Sequence, residues 1–401
     1  MNIEQLIERF SKSKNEPNWL TELRLKNYKE FISFKEKRIS DSPIERRYTQ
    51  VDESFIEESF ESPTGAIFKE ENDYFVIDFT KDEELEIKTT SLKHTKMITI
   101  YDALKEFPEE IKNSLDKPKD EWSAISNAIW STGIFVKVPV FRRCERVMKF
   151  KVIYPKSPIV KRDIFIIGSN SHMQFVESTN SQEGFRGLEE TYINIGKNSS
   201  LKHLTMINGK NSQIISIKNS VIEENSQDEW YYALKNLKNG IMVTNATLNG
   251  DNSKLLHRGA LIGKDNEHYD IATNIYHLAN NTKSEADIRA ALNDSSRAVM
   301  RGKINVSKNS IDSNAYFSGN SLLLNKNAKS NALPFLEIEG NGSQARHSAS
   351  ITNLDYDQLF YVQTRGIDEN ESKNLIVEGF LDPVVRQILI YEGIRYLVYG
   401  E

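Results

Sequence analysis

The feature that most constrains this chain is a tract of short, strand-like runs that extends from about residue 168 to residue 350. Apolar and polar residues alternate in runs such as Ile214–Ile217 and Lys303–Val306, which is typical of half-buried β-strands because successive side chains face opposite sides. Asn and Gly separate the runs, for example at Asn208-Gly209, and both tolerate the positive φ of tight corners. Turns that recur every ~8–16 residues without long helices between them predict a β-sandwich, a barrel or a stacked β-solenoid.

Helices are predicted on both sides of this tract. Near the N-terminus, Ile3, Ile7 and Phe10 form an apolar stripe at helical spacing, and Pro17 suits the first turn of a second helix. Residues 100–131 repeat the helical pattern, and β-branched and aromatic residues follow Gly133. The sequence therefore divides into a helical and mixed region at residues 1–132, a strand-rich core at 133–352 and a helical region at 353–401.

The C-terminal region carries clear helix start and stop signals. Asp355 with Gln358 resembles a capping box, and Gly366 suits the residue that follows a helix. Asp368 precedes acidic residues that favour the first turn of the next helix. Asp382-Pro383 has the pattern of an N-cap and first helical residue, so a third helix is predicted to begin there.

Composition excludes several classes of function. The 57 acidic and 52 basic residues give a net charge of −5, which argues against a dedicated nucleic-acid surface. No window approaches ~18 consecutive apolar residues, so no membrane-spanning helix is predicted. The first residues, Met1–Gln5, lack the basic and apolar segments of a secretory signal. Cys144 is the single cysteine, which rules out an internal disulfide and favours a cytoplasmic protein.

Catalytic signatures are missing from the sequence. Gly259–Asp265 is one residue shorter than a phosphate-binding loop and ends in Asp instead of Ser or Thr. The seven histidines show no ligand spacing, and no zinc-protease, paired-cysteine or nucleophile-elbow motif occurs. Cys144 has basic neighbours, but a half-buried strand residue is the favoured interpretation. Two classes stay open: a β-helix enzyme that acts on polysaccharides, and a scaffold that works through partners.

The C-terminal third contains a series of ordered motifs. They are Asp294–Val306, Ser321–Asn325, Pro334–Ile338, His347–Ser350, Asp357–Tyr361, Thr364–Gly366 and Val377–Phe380. Together these motifs resemble the core of the SufB/SufD family of iron–sulfur cluster assembly proteins. Glu16–Leu20 with Arg24, and Asn127-Ala128, are similar to features of the family's N-terminal part.

The resemblance implies a mainly β fold, with a right-handed parallel β-helix flanked by helical N- and C-terminal regions. It also implies partners: in the family, two such subunits pair through their β-helices, and the C-terminal helices bind an ABC-type ATPase, SufC. Nucleotide hydrolysis would then belong to the partner, and this chain would have no catalytic residue and no tightly bound cofactor, with iron or a cluster present transiently. The expected SufC-docking residues are Phe360, Tyr361, Arg365, Leu375 and Phe380.

One motif bears on which family member this chain resembles. SufB, the cluster scaffold, typically has a Cys just before a His-Glu-Ala run, whereas this chain has Ala345 at the Cys position and Ser348 at the Glu position. A cluster scaffold needs thiolates. His347 matches the family's interface histidine and is the candidate for iron or nascent-cluster handling. A SufD-like subunit is the favoured interpretation, and a self-pairing SufB-like scaffold and a β-helix carbohydrate enzyme are the alternatives.

Overall fold

A computed structural model of the protein describes residues 2–37, 48–62, 65–81, 83, 85–88, 94–115, 117–144 and 146–386. The helices are α1 (Ile3–Ser13), α2 (Asn18–Lys37), α3 (Phe55–Glu58), α4 (Ile100–Glu106), α5 (Pro108–Ser114), α6 (Glu121–Ile129), α7 (Tyr356–Gln363) and α8 (Glu369–Val385). The first strands are β1 (Ile67–Glu71), β2 (Tyr74–Asp78), β3 (Lys96–Thr99), β4 (Ile134–Val138), β5 (Met148–Tyr154), β6 (Ile159–Ile167), β7 (His172–Ser181) and β8 (Arg186–Ile195). The remaining strands are β9 (Ser200–Ile222), β10 (Gln227–Leu248), β11 (Lys254–Gly263), β12 (His268–His277), β13 (Lys283–Leu292), β14 (Arg297–Val306), β15 (Asn314–Leu323), β16 (Lys329–Ile338) and β17 (Gln344–Asn353).

The strands from β4 to β17 wind into a parallel β-solenoid with two faces. We call the first face sheet A; it contains β5, β7, the first half of β9, the first half of β10, β11, β13, β15 and β17. Sheet B contains β4, β6, β8, the second halves of β9 and β10, β12, β14 and β16. The solenoid has about 8 turns, and 47% of the chain is strand, so the mainly β solenoid class is confirmed.

A repeated Asn-Ser corner joins sheet B to sheet A. Asn170, Asn198, Asn225 and Asn252 occupy the left-handed region at φ between 55 and 60°, where Asn is tolerated better than most residues. Their amides form a ladder: Asn198 donates to Asn170, Asn225 to Asn198 and Asn252 to Asn225. Each is followed by a buried serine. These corners explain why Asn and Ser recur between the strands.

The interior of the first coils contains charge. Lys161 donates to Glu177 at 2.7 Å, and Lys218 donates to the other oxygen of Glu177 at 2.8 Å. Burial pushes the pKa of Glu177 upward, but the two lysines outweigh burial and hold it well below its ordinary value. Because a buried charge is costly unless it is paired, each ion in this group depends on its partners.

The N-terminal helices cover the outer side of sheet B. Arg24, on α2, is fully buried; it forms an ion pair with Glu16 at 2.7 Å and donates to the carbonyl of Ala128 at 3.1 Å. On the solenoid, Arg162 donates to Asn127 at 2.8 Å. Among the N-terminal features that resemble the family, Arg24 therefore ties α2 to α6, and Asn127 ties α6 to the solenoid.

Helix α8 covers the outer side of sheet A with buried Val377, Leu381, Val384 and Val385. The prediction of a third helix beginning at Asp382-Pro383 is wrong, because α8 continues through Pro383. A proline ring normally collides with the carbonyl four residues earlier. Here Val384 and Val385 are buried against sheet A and hold the last turn in place.

The prediction that Ile214–Ile217 is half buried is also wrong, since both faces of this run are buried. Ile214 packs in the solenoid interior, whereas Ile215 and Ile217 pack beneath the N-terminal helices. Within the described residues, no helix combines the length and apolar character needed to cross a bilayer.

Candidate functional site

None of the described residues covers the C-terminal end of the solenoid. Strand β16 is paired with β14, and β17 with β15, but neither has a further strand beyond it within the described residues. Both are therefore edge strands whose outward backbone N–H and C=O groups are open to pairing. Strand β16 is the last strand of sheet B and β17 is the last strand of sheet A among the described residues. Both lie at the same end of the solenoid, which we call the open end.

Apolar side chains are exposed at the open end. Ile338 is 43% exposed, although Val306, its neighbour in the preceding coil, is fully buried. Ile351 on β17 is 48% exposed, and Phe335 on β16 is 42% exposed. Since an exposed edge with apolar side chains is normally avoided in a free-standing chain, the open end has the properties of an interface.

His347 continues an interior row of the solenoid to this end. The row on sheet A runs in register from His203 through Trp230, His257, Ala286 and Phe317 to His347. Phe317 is 1% exposed, whereas His347 is exposed because no coil in the described part of the chain covers it. The imidazole therefore lies at the mouth of the interior, where a partner that covers the open end would contact it.

The two positions that distinguish the motif from a SufB-type motif differ in their location. Ala345 is two residues from His347 in the same strand and so shares its interior side. Ser348 points to the outer side, where its hydroxyl lies 2.8 Å from that of Tyr316. A carboxylate at position 348 would thus face away from His347 along this strand.

The single cysteine lies at the opposite end of the solenoid. Arg143, its neighbour, begins a row that passes through residues 172, 200, 227, 254, 283 and 314 to Gln344. The row has seven strand spacings, so at ~4.8 Å for each spacing Cys144 is roughly 34 Å from the open end. Its thiol lies 3.7 Å from the Thr95 hydroxyl. Cys144 therefore cannot supply a thiolate beside His347 within one chain.

Helix α7 presents aromatic residues to solvent. Phe360 is 68% exposed and Tyr361 is 60% exposed. Arg365, just after the helix, donates to the Tyr361 hydroxyl at 2.9 Å, and its guanidinium lies 5.2 Å from the ring centroid. Asp355 caps the helix as predicted, since its carboxylate accepts from the amides of Asp357 and Gln358, but the return bond from the Gln358 side chain that a full capping box needs is not formed. The structure thus brings three of the predicted docking residues onto one exposed surface.

The other two predicted docking residues lie on α8 and point in different directions. Leu375 is 44% exposed, whereas Phe380 is half-buried and packs with the cluster under α8. The carbonyl of Phe380 accepts from Arg289 of β13 at 2.7 Å, and the guanidinium lies 5.6 Å from the Phe380 ring centroid. Phe380 thus fixes the helix to the solenoid, and Leu375 belongs to the exposed surface.

Sequence reasoning did not find the exposed apolar side chains of the open end. Phe335, Ile338 and Ile351 lie in strand patterns like those of buried coils, so composition gives no signal of their exposure. The available signal is their position in the last two strands before the helices. Among the described residues, no group of three or more His, Cys, Asp or Glu side chains is arranged to hold a metal ion.

Comparison with known proteins agrees with this architecture. The family described as "SUF system FeS cluster assembly, SufBD core domain" matches residues 154–380, which include the solenoid coils from β6 onward and most of α8.

The chain belongs to the SufB/SufD family.

Its similarity to relatives extends through nearly the whole chain. The iron–sulfur cluster assembly protein SufB of Bacillus subtilis (strain 168) is 23% identical, and the alignment covers 96% of this chain and 89% of that protein. A chloroplastic SufBD family protein of Arabidopsis thaliana is 23% identical over 96% of this chain and 76% of its own length. A SufBD family protein of Staphylococcus saprophyticus is 22% identical, and the alignment covers 96% of this chain and 89% of that protein. Membership of an iron–sulfur cluster assembly family favours an assembly role over the carbohydrate-enzyme alternative.

Proposed function

We propose that this protein is a SufD-like, non-catalytic subunit of an iron–sulfur cluster assembly complex. It pairs through its open end with a SufB-type scaffold and docks a SufC-type ATPase through α7 and α8. Iron or a nascent cluster is the cargo of the complex and passes His347 at the joint between the two solenoids. A reducing, cytoplasmic location suits a protein with a single cysteine.

The observation that carries this proposal is the open end itself. Two adjacent edge strands, three large exposed apolar side chains and one histidine occur together at the end of an otherwise buried core. A second solenoid placed against this end would continue both sheets and bury Phe335, Ile338 and Ile351. His347 would then lie between the two interiors.

The missing thiol supports a SufD-like role. Iron–sulfur clusters are held mainly by thiolates. Ala345 replaces cysteine next to His347, and Cys144 is at the far end of the solenoid. The thiolates at the joint would therefore come from the paired scaffold, and this chain would contribute an imidazole.

Co-expression with the SufB-type and SufC-type proteins of the same organism tests the pairing. We expect a stable ternary complex on size exclusion, and we expect Ile338→Asp with Ile351→Asp to abolish SufB binding while SufC binding persists. Val140→Asp is the matched control, because Val140 is 57% exposed at the opposite end of the solenoid. Failure of the unmodified chain to co-purify with either partner would refute the proposal.

Anaerobic reconstitution tests the division of roles. The isolated chain, incubated with ferrous iron and sulfide, should retain less than one cluster per chain, whereas the pair with the SufB-type protein should retain a cluster. Stoichiometric iron and sulfide on the isolated chain would instead establish a self-pairing, SufB-like scaffold.

A further inference from the structure

A groove of about 880 Å³ follows the edge of the solenoid at which sheet A turns into sheet B. One side of the groove is a row of residues in register on successive strands of sheet B, namely Arg186, Gln213, Asn239, His268 and Arg297. Residues from Tyr48 to Asp52 form part of the other side. The proposed assembly function makes no use of this groove.

The chain's own N-terminal segment shows how this row binds a polypeptide. Asn239 donates its side-chain amide to the carbonyl of Gln50 at 3.1 Å. The Gln213 side chain accepts from the backbone N–H of Asp52 at 2.8 Å and donates to the carbonyl of the same residue at 3.0 Å. Arg186 donates to the Asp52 carboxylate at 2.7 Å. Side-chain amides therefore bind the backbone of the segment, and a cation binds its carboxylate.

Beyond this segment, the groove is lined by two further cations. Arg297 lies in the row itself, and Lys238 directly precedes Asn239; both side chains are exposed. In the described part of the chain neither of them forms an ion pair, in contrast to Arg186. Burial lowers the pKa of His268, which lies between them in the row, so that the imidazole is neutral at neutral pH. The groove thus continues with the same kinds of group but without bound carboxylates.

The charge of the groove is positive. Among the described lining residues, Arg186, Lys238 and Arg297 carry three positive charges and Asp52 carries one negative charge. The corners along this edge contain seven Lys or Arg residues against four acidic residues, in segments 182–185, 209–212, 235–239, 264–268, 293–297 and 325–329. Residues 38–47, which precede Tyr48 in the sequence, contain three arginines and two acidic residues and so add no net negative charge. In a chain of net charge −5, this edge attracts anions.

The bound segment also indicates the spacing that a ligand needs. Gln50 contacts β10 and Asp52 contacts β9, so two residues of the segment correspond to one strand of the sheet. Lys238 on β10 and Arg297 on β14 are two strands apart, with β12 between them. Carboxylates four residues apart in a segment of the same path would therefore reach both cations.

The cations of this groove are not interleaved with aromatic residues. Segments 235–239, 264–268 and 293–297 contain no Phe, Tyr or Trp. Grooves for single-stranded nucleic acid normally combine cations with rings on which the bases stack. The groove therefore suits an acidic polypeptide better than a nucleic acid.

We propose that this groove binds an acidic segment of a protein partner, with its carboxylates at Lys238 and Arg297 and its backbone against Asn266 and His268. The cations select the carboxylates, because charge-assisted hydrogen bonds are stronger than neutral ones. Recognition of acidic motifs by clustered cations is a recurring mode of peptide binding. The site does not depend on pairing at the open end or on docking at α7.

Fluorescence anisotropy with the full-length chain and labelled peptides tests the proposal. The probe is a peptide of glycine and serine that carries two glutamates four residues apart; an isomer with adjacent glutamates and a version with glutamines are the comparisons. We expect saturable binding of the probe with a Kd below about 1 mM, weaker binding of the isomer and no binding of the glutamine version. Lys238→Glu and Arg297→Glu should each weaken probe binding by about tenfold or more, the loss expected for one charge-assisted contact.

Lys308→Glu is the matched control, since Lys308 is an exposed lysine in a corner of the opposite edge. Each variant is first checked for an unchanged thermal midpoint. No saturation by the probe up to about 10 mM would overturn the site, because such binding would be too weak for specific recognition. Equal binding of the three peptides, or equal losses in Arg297→Glu and Lys308→Glu, would overturn it as well. Single-stranded DNA of the same net charge that binds as tightly as the probe would show a general polyanion surface and refute the assignment to an acidic protein segment.

Discussion

At the scale of single residues, the interior of the solenoid depends on glycines that leave room for aromatic rings. Gly302, on β14, faces Phe317 across the interior, and a Cβ built at Gly302 would lie 2.5 Å from the Phe317 ring. Phe317 is 1% exposed and lies beneath His347 in the interior row. The absence of a side chain at Gly302 therefore leaves the space on the opposite sheet that the Phe317 ring, beneath His347, occupies.

Gly302→Ala should lower the free energy of unfolding by about 1–3 kcal/mol, the usual cost of overpacking a core. Gly319→Ala is the matched control: its Cβ would lie 3.5 Å from the same ring, an ordinary contact. We expect the control to change stability by less than about 1 kcal/mol. Urea unfolding followed by circular dichroism measures both. Equal stabilities for the two variants would show that Phe317 moves aside without cost.

His347→Ala should leave stability and SufC binding unchanged, because the side chain is exposed and buries little surface. Cluster assembly by the complete complex should fall by roughly tenfold or more if the imidazole contacts the cargo, a loss of at least about 1.4 kcal/mol. His172→Ala, an exposed histidine at the other end of sheet A, is the control. The measurement is cluster absorbance and iron content under anaerobic conditions. Normal yield from the His347→Ala complex would assign the residue a structural role.

At the scale of elements, α8 packs on sheet A with some of its apolar residues and exposes others to solvent, and its sequence does not distinguish the two sets. Its apolar positions include both residues buried against sheet A and residues exposed to solvent. The helical spacing of apolar residues identifies an apolar stripe, but it does not show which surface covers each residue of that stripe. Leu375 and Phe380 therefore looked equivalent in the sequence, and the contact between Phe380 and Arg289 distinguishes them.

Phe360→Asp and Leu375→Asp should each weaken SufC binding, by about tenfold or more if the residue is a central contact, and should leave the thermal midpoint unchanged. Phe380→Asp should instead lower the thermal midpoint, because it places a charge against the buried cluster under α8. Biolayer interferometry and thermal unfolding give the two readouts. A stable Phe380→Asp variant that has lost SufC binding would place Phe380 at the partner surface.

Much of the solenoid was predictable because its corners are encoded locally. The Asn residues of the corners adopt positive φ and pair with the Asn of the next coil, so their recurrence marks the turns directly. The helix caps at Asp355 and Asp368 were predictable for the same reason. Strand burial was not predictable, since strands such as Ile214–Ile217 bury both faces and their partners are distant in sequence.

The candidate site was predictable to a different degree. The motif His347–Ser350 identifies His347 as a candidate from sequence alone. Its exposure at the end of the interior row depends on β17 being the last strand of sheet A, which the motif does not show. Pro383 shows the limit of local rules: its pattern predicts a new helix, yet α8 continues through it with Val384 and Val385 buried against sheet A. Local chemistry thus defined corners and caps, and tertiary contacts decided exposure and continuity.

At the scale of the whole molecule, buried polar groups make the solenoid sensitive to acid. His277 is fully buried, with its two ring nitrogens 2.7 Å from the Thr282 hydroxyl and 2.9 Å from the Ser284 hydroxyl, and burial lowers its pKa to about 4. Burial, together with His203 and Arg258, lowers the pKa of His257 to about 3. Both imidazoles are therefore neutral in the folded protein at neutral pH.

The direction of the pH effect follows from these shifts. An unfolded histidine has the ordinary pKa of 6.5, so between pH 6.5 and about 3 the unfolded chain binds a proton that folded His257 does not. Stability contributed by this group is present above pH 6.5 and is lost as the pH falls, with a slope of up to about 1.4 kcal/mol per pH unit. The same reasoning applies to His277 down to about pH 4.

His257→Gln, which removes the titrating group at an interior position, should therefore reduce the pH dependence of unfolding between pH 6.5 and 4. The comparison is the slope of the unfolding free energy against pH, obtained from urea titrations at half-unit steps, for the variant and the unmodified protein. If the substitution also lowers stability at pH 7.5, the whole curve of unfolding free energy against pH shifts down without a change in slope. The slope therefore reports only the proton that the histidine binds in the unfolded chain. His277→Gln gives a second, independent measurement. Parallel slopes for all three proteins would mean that both histidines accept protons in the folded solenoid, contrary to their burial.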